Sequence, residues 1–182
     1  MEIVQTPIEG LLIIKPRVFE DSRGFFFETY NRQKYSQVGI ELDFCQDNLS
    51  RSSYGVIRGL HYQLNPNSQS KLVTVLEGVV WDVAVDLRKD SKTFGHWYGV
   101  ELTASNKWQF LIPQGFAHGF SVLSPQALFS YKCDNFYDPL GERGIAYNDP
   151  ALGIDWKVPT DAAVISAKDL AHPLFQDAEM NF

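Results

Sequence analysis

The run Val79 to Leu87, VVWDVAVDL, constrains this chain more than any other feature. Val79, Trp81, Val83, Val85 and Leu87 share one parity, while Asp82, Ala84 and Asp86 share the other. Successive side chains of a strand point to opposite faces, so this alternation predicts a strand with one apolar face and one carrying carboxylates. Shorter runs of the same kind are Leu11 to Ile14, Phe25 to Tyr30, Val56 to His61, Lys71 to Leu76, Trp97 to Leu102, Gln109 to Ile112, Phe116 to Leu123 and Ala127 to Lys132. Asn65-Pro66-Asn67, Glu77-Gly78, Pro113-Gln114-Gly115 and Ser124-Pro125 supply turn signals between them. Helical signals are confined to two places. Asn31 to Val38 follows an Asn cap with Tyr35 and Val38 on one side, and Ser166 to Asp169 followed by Leu170 resembles a capping box.

Many short strands and few helices predict an all-β fold, a sandwich or closed barrel of jelly-roll type. No repeat or composition break marks a linker in the 182 residues, so one domain over 1–182 is expected. Hydrophobic residues make up 45% and charged residues 21%, which excludes a disordered chain. The formal charge is -6, so no basic surface for nucleic acid is expected, although a local basic pocket for a small phosphorylated ligand is compatible with it. Cys45 and Cys133 form neither a disulfide framework nor a CxxC pair. MEIVQTPIEG lacks a basic region followed by an apolar one, and no run approaches the roughly 20 apolar residues that span a bilayer. The expectation is a cytoplasmic protein with no membrane partner.

Gly55-Val-Ile-Arg58-Gly-Leu-His61-Tyr-Gln63, then Glu77-Gly78, then Ile112-Pro-Gln-Gly115-Phe-Ala-His118 together resemble the two signature motifs of the cupin superfamily of small jelly-roll barrels. Metal-binding cupins carry His-x-His in the first motif, since alternate strand residues can chelate one ion. Here the second histidine is replaced by Gln63, and Lys71 follows in the stretch where such sites usually supply a carboxylate. An ammonium cannot ligate while charged, and an amide oxygen is a poor ligand for transition metals, so no metal is expected there.

A longer ordered set sharpens the resemblance. Gln46-Asp-Asn48, Gly55 to Gln63, Lys71-Leu72, Asp82-Val-Ala-Val-Asp86-Leu-Arg88, Ile112 to Phe120, Tyr131-Lys132 and Asn148-Asp-Pro150 resemble the dTDP-4-dehydrorhamnose 3,5-epimerase family, from about Thr6 to Leu174. The resemblance implies a cofactor-independent epimerase of deoxythymidine-diphosphate 4-keto-6-deoxyhexose. It would invert C3 and C5, the carbons flanking the ketone, on the route to L-rhamnose. It also implies a homodimer, with N-terminal strand residues crossing to the partner.

The residue types suit that chemistry. A proton α to a ketone is removable when a base meets an enolate stabiliser, and general base catalysis alone contributes roughly 10²–10⁴-fold. His61 is the candidate base, an imidazole of reference pKa near ~6.5. The family match makes Asp169 its orienting carboxylate. Lys71 is the candidate electrophile toward the C4 oxygen. Inversion needs a second proton carrier on the opposite face of the ring, and the resemblance gives that role to Tyr131. For substrate holding, it implies Arg23, Glu28, Gln46, Asn48, Arg58, His118, Glu142 and Lys168. Arg23 and Arg58 suit phosphate or sugar oxygens, because a guanidinium fork matches them.

Each residue also has a plain structural reading. His61, His118 and Tyr131 suit packed, hydrogen-bonded core positions. Lys71, Arg23, Glu142 and Lys168 suit solvated charges, and Asp169 suits the reciprocal member of the Ser166 cap. Asp82 and Asp86 fit outward carboxylates, or inward ones tuning Lys71 and His61. Rival functions are an epimerase acting at C3 or C5 alone, a silent sugar-nucleotide-binding module, and a metal-dependent cupin. One conflict is geometric. Arg58 and His61 are three residues apart, and a regular strand sends them to opposite faces. If both touch substrate, a bulge or irregular φ is expected at Gly59.

Overall fold

The computed structural model describes residues 1–182. Thirteen strands run in chain order. They are β1 (Glu2–Gln5), β2 (Leu12–Lys15), β3 (Phe19–Asp21), β4 (Gly24–Phe26), β5 (Gln46–Ser53), β6 (Ile57–Gln63), β7 (Lys71–Glu77), β8 (Val79–Asp86), β9 (Trp97–Thr103), β10 (Gln109–Ile112), β11 (Phe116–Val122), β12 (Gln126–Cys133) and β13 (Glu142–Gly144). The only α-helices are short, α1 (Arg32–Ser36) and α2 (Ala167–Leu170). One sheet has the order β1-β2-β10-β7-β12-β5 and a second β13-β6-β11-β8-β9, while β3 and β4 pair as a separate hairpin. This is the expected all-β, jelly-roll-like architecture.

The two large sheets share a core. Val73, Val75, Phe110 and Phe129 of the first meet Val80, Ala84, Leu102, Phe116 and Phe120 of the second. The outer face of the second sheet carries Ile57, Leu60, Tyr62, Val83 and Val85, covered by Ile145, Leu152 and Trp156 of the C-terminal segment. The outer face of the first carries Ile14, Leu72 and Leu111 beneath Tyr35 and Ile40.

The alternation in Val79 to Leu87 therefore has a different meaning from the expected one. Val83, Val85 and Leu87 pack under the C-terminal segment, whereas the parity of Asp82 also holds Val80 and Ala84 and faces the space between the sheets. Both faces are buried, and Asp82 and Asp86 are each 0% exposed.

Both helix caps form as expected, with Asn31 accepting from the Lys34 N–H and Ser166 from the Asp169 N–H. Tyr35 is buried on α1, but Val38 is 45% exposed beyond the helix end. The Phe25 to Tyr30 run gives a strand only over Gly24–Phe26. β1, β3, β5 and β13 lie outside the alternating runs read as strands from the sequence.

Candidate active site

β6 changes parity at Gly59. Ile57 lies on the outer face, and so do Leu60 and Tyr62, three and five residues later. Gly59 has φ +136°, and pairing with β11 slips there, His61 facing His118 while Arg58 faces Phe120. A Cβ at Gly59 would lie 2.5 Å from Gly119 Cα, so only glycine fits. The irregularity expected at Gly59 is present. Arg58 and His61 consequently line the same cavity of about 430 Å³, together with Ser166, Lys168 and Asp169. Arg58 Nε donates to Ser52 Oγ at 3.1 Å, reaching from β6 to the opposite sheet.

His61 and Asp169 form the centre of this cavity. The ring Nε2 lies 2.8 Å from Asp169 Oδ1, and the Gly59 N–H donates to Oδ2 at 3.3 Å. Asp169 thus turns toward His61, while its own N–H completes the Ser166 cap at 3.1 Å. Its side chain is 5% exposed, against 30% for His61. Burial pushes the Asp169 pKa up, but the His61 contact and the Gly59 N–H outweigh this and hold it below the ordinary carboxylate value. An ionised Asp169 accepts the Nε2 proton and leaves the His61 lone pair on Nδ1.

Lys71 and Tyr131 stand on the other sheet, on β7 and β12. Lys71 shares its parity with Val73 and Val75, so its ammonium enters the space between the sheets and lies 5.9 Å from the Tyr131 ring centroid. Burial lowers the Lys71 pKa, opposed by Cys133, Asp82 and Glu142. Burial raises the Tyr131 pKa, keeping the phenol protonated. Below them His118 Nε2 sits 3.0 and 3.1 Å from the two Asp82 oxygens. Burial lifts the Asp82 pKa and depresses that of His118, so both neutral forms are favoured and their contact opposes this. Of the two readings of Asp82, the inward one holds. Asp86 is different: at the strand end it accepts from the Arg88 guanidinium, Ser91 and Thr93, which makes it a loop anchor.

Glu142 joins the two groups. It accepts from Lys168 Nζ at 2.6 Å and Tyr137 Oη at 2.7 Å, and its charge acts on His61, Lys71 and Tyr131. Gln46 and Asn48 are bonded to each other on β5, and the Asn48 amide lies 3.7 Å from Cys133 Sγ. Gln63 is engaged elsewhere. Its amide donates to the Asn67 and Phe136 carbonyls and accepts from the Asp138 N–H, which ties down the neighbouring loops.

Two expected contacts lie apart from this group. Arg23 is on the β3–β4 hairpin, paired with Asp21 beside a separate cavity of about 500 Å³, and Glu28 is held by Lys34 and Asn31. One neighbour was missed by sequence reasoning. His172 Nε2 lies 3.6 Å from Asp169 Oδ1, and its ring meets His61 edge-on at 5.6 Å. Its only sequence signal is the spacing of three residues from Asp169.

Residues 5–177 match the family model described as dTDP-4-dehydrorhamnose 3,5-epimerase. The chain belongs to this epimerase family. A Shigella flexneri dTDP-4-dehydrorhamnose 3,5-epimerase is 50% identical over 180 residues, covering 98% of each chain. The crystal structure of the epimerase from Elizabethkingia anophelis NUHP1 superposes with a TM-score of 0.93 at 55% identity, covering 97% of both chains. That of dTDP-6-deoxy-D-glucose-3,5-epimerase from Legionella pneumophila Philadelphia 1, in complex with dTDP-4-keto-L-rhamnose, gives 0.93 at 50% identity, covering 97% of this chain and 93% of that one. The resemblance read from the ordered strings is borne out, and with it the isomerase class. No helix of the chain is long and apolar enough to cross a membrane.

Proposed function

We propose that this epimerase converts dTDP-4-dehydro-6-deoxy-D-glucose to dTDP-4-dehydro-L-rhamnose by moving protons at C3 and C5. The reading is supported by two groups able to carry a proton on facing sheets, His61 with Asp169 of α2 bonded to it on one side and Tyr131 with Lys71 on the other. A sugar ring between them presents one face to each. His61 Nδ1 removes the proton α to the ketone, and Asp169 stabilises the resulting imidazolium. Negative charge collects on the C4 oxygen, where the Lys71 donor meets it. Tyr131 then delivers a proton to the other face, completing inversion. Both carriers are restored by proton exchange with solvent, so each turnover imports solvent hydrogen.

Arg58 and Lys168, at the cavity mouth, supply the cations for the diphosphate, with Glu142 holding Lys168 in place. Gln46 and Asn48 offer amides to the nucleotide, and His118 backs the pocket. Arg23 and Glu28 act from a second copy of the chain in a homodimer. Exposure of Phe19, Phe25 and Phe26 at 51%, 60% and 67% on the β3–β4 hairpin supports that assembly, because such side chains seek cover. In this reading residues 1–182 form one epimerase domain with N-terminal strands exchanged between protomers, working in the cytoplasm. His61, Lys71, Tyr131 and Asp169 perform the reaction without a cofactor.

The test is incubation with dTDP-4-dehydro-6-deoxy-D-glucose in D₂O, followed by proton NMR. Deuterium at both C3 and C5 is expected, and His61→Asn should abolish it at both while still binding dTDP. Label at one carbon only would make the chain a mono-epimerase. Label at both from His61→Asn would remove His61 as the base.

A further inference from the structure

We propose that His61, Asp169 and His172 form a latent binding site for a borderline divalent cation such as Zn²⁺, and that the ion shuts the epimerase off. The three offer two imidazole nitrogens and one carboxylate oxygen, all within 4.8 Å of one another. Asp169 Oδ1 is the common point, 2.8 Å from His61 Nε2 and 3.6 Å from His172 Nε2. A tetrahedral Zn²⁺ at roughly 2.0–2.1 Å from each ligand separates them by about 3.3 Å, so small rotations of the two rings suffice. Two imidazoles and one carboxylate suit zinc, cobalt or nickel rather than magnesium or calcium, which take oxygen ligands.

The third ligand is the decisive member. His172 Nε2 is buried and has no hydrogen-bond partner, an uncommon state for a polar atom in a folded chain. Its position is built rather than accidental. A Cβ at Gly144 would lie 2.3–2.5 Å from the His172 ring, so β13 has a glycine where that ring packs. The capped helix α2 holds Asp169 three residues earlier. His61, 30% exposed, and Asp169 both line the cavity, so the site borders solvent-accessible space on their side.

This site is distinct from the cupin metal position that Gln63 and Lys71 spoil, and it shares only His61 with it. Binding needs no redox step. The proton on His61 Nε2 moves to Nδ1, the ion takes the Nε2 lone pair, and Asp169 and His172 complete the set. That shift removes the lone pair at Nδ1. The inhibitory half of the proposal therefore rests on His61 being the base, whereas the binding half does not.

The experiment uses the chelator-treated full chain, titrated with Zn²⁺ by calorimetry and with Co²⁺ by visible absorbance, alongside epimerase assays. One ion per chain is expected, with a tetrahedral cobalt spectrum. His172→Gln should keep epimerase activity in chelator but lose zinc affinity by more than the roughly 10–100-fold typical of outer-shell changes. His172→Ala should behave alike, which guards against a packing artefact of either variant. Zinc should inhibit the parent and spare both variants at the same concentration. No bound ion, or binding unchanged in both variants, would overturn the site. Zinc bound through His172 with turnover unchanged would uphold the site and remove His61 as the base.

Discussion

Replacing Gly59 with alanine tests whether the parity change in β6 is what unites Arg58 and His61. The new Cβ would meet Gly119 Cα at 2.5 Å and the His118 carbonyl at 3.0 Å. Both belong to β11, which is hydrogen-bonded to β6 on one side and β8 on the other, so neither can retreat. A non-glycine residue at φ +136° adds backbone strain of about 1–3 kcal/mol. Overpacking adds about 1–3 kcal/mol more. At roughly 2–4 °C per kcal/mol for a domain of this size, a melting temperature lower by about 5–20 °C is expected. Alternatively the strand relieves the clash by straightening, which spares stability but turns Arg58 or His61 away from the cavity. Calorimetric melting and deuterium incorporation at C3 and C5, measured on one preparation, distinguish the two. Melting and incorporation both equal to the parent would refute the reasoning.

Tyr131→Phe should impair completion of inversion more than the first deprotonation. In D₂O, loss of the substrate's own hydrogen should then outrun formation of the L-sugar, and an equal fall in both would contradict the facing-carrier reading. Asp86→Asn should cost about 1.5–3 kcal/mol at neutral pH, the worth of hydrogen bonds to a charged group. Burial raises the Asp86 pKa, but Arg88, Ser91 and Thr93 together hold it below the usual value. Its contribution to stability is therefore full above the unfolded value near ~3.9 and is lost as pH falls toward the folded pKa. Parent and variant melting curves should converge in acid, and a difference that persists there would show that charge is not the cause.

The family's strings were readable because each combines a distinctive residue with a fixed place in the chain, as in Arg58-Gly-Leu-His61. The strand β5 was not. Its sequence QDNLSRSS is polar apart from Leu49, which stands exposed, and the wholly polar parity of Gln46, Asn48, Ser50 and Ser52 is the less exposed one along all eight residues. Hydropathy shows a strand only when its inner face is greasy, and this face includes the amides assigned to the nucleotide. The β3–β4 hairpin shows the converse, since Phe25 and Phe26 are apolar yet stand exposed.

By itself, the sequence determined the alternation of Val79 to Leu87, the turns, both helix caps and the need for an irregular Gly59. These depend on neighbours a few residues apart, whose geometry is set by backbone period and local hydrogen bonds. Only the tertiary structure decided which parity of Val79 to Leu87 faces the space between the sheets. That choice depends on Ile145, Leu152 and Trp156, which arrive from far along the chain to cover the apolar side. The same holds for Asp169, 108 residues from its partner His61. Ser166 fixes its backbone locally, but its carboxylate is free to rotate, and packing of α2 against β6 alone sets its direction.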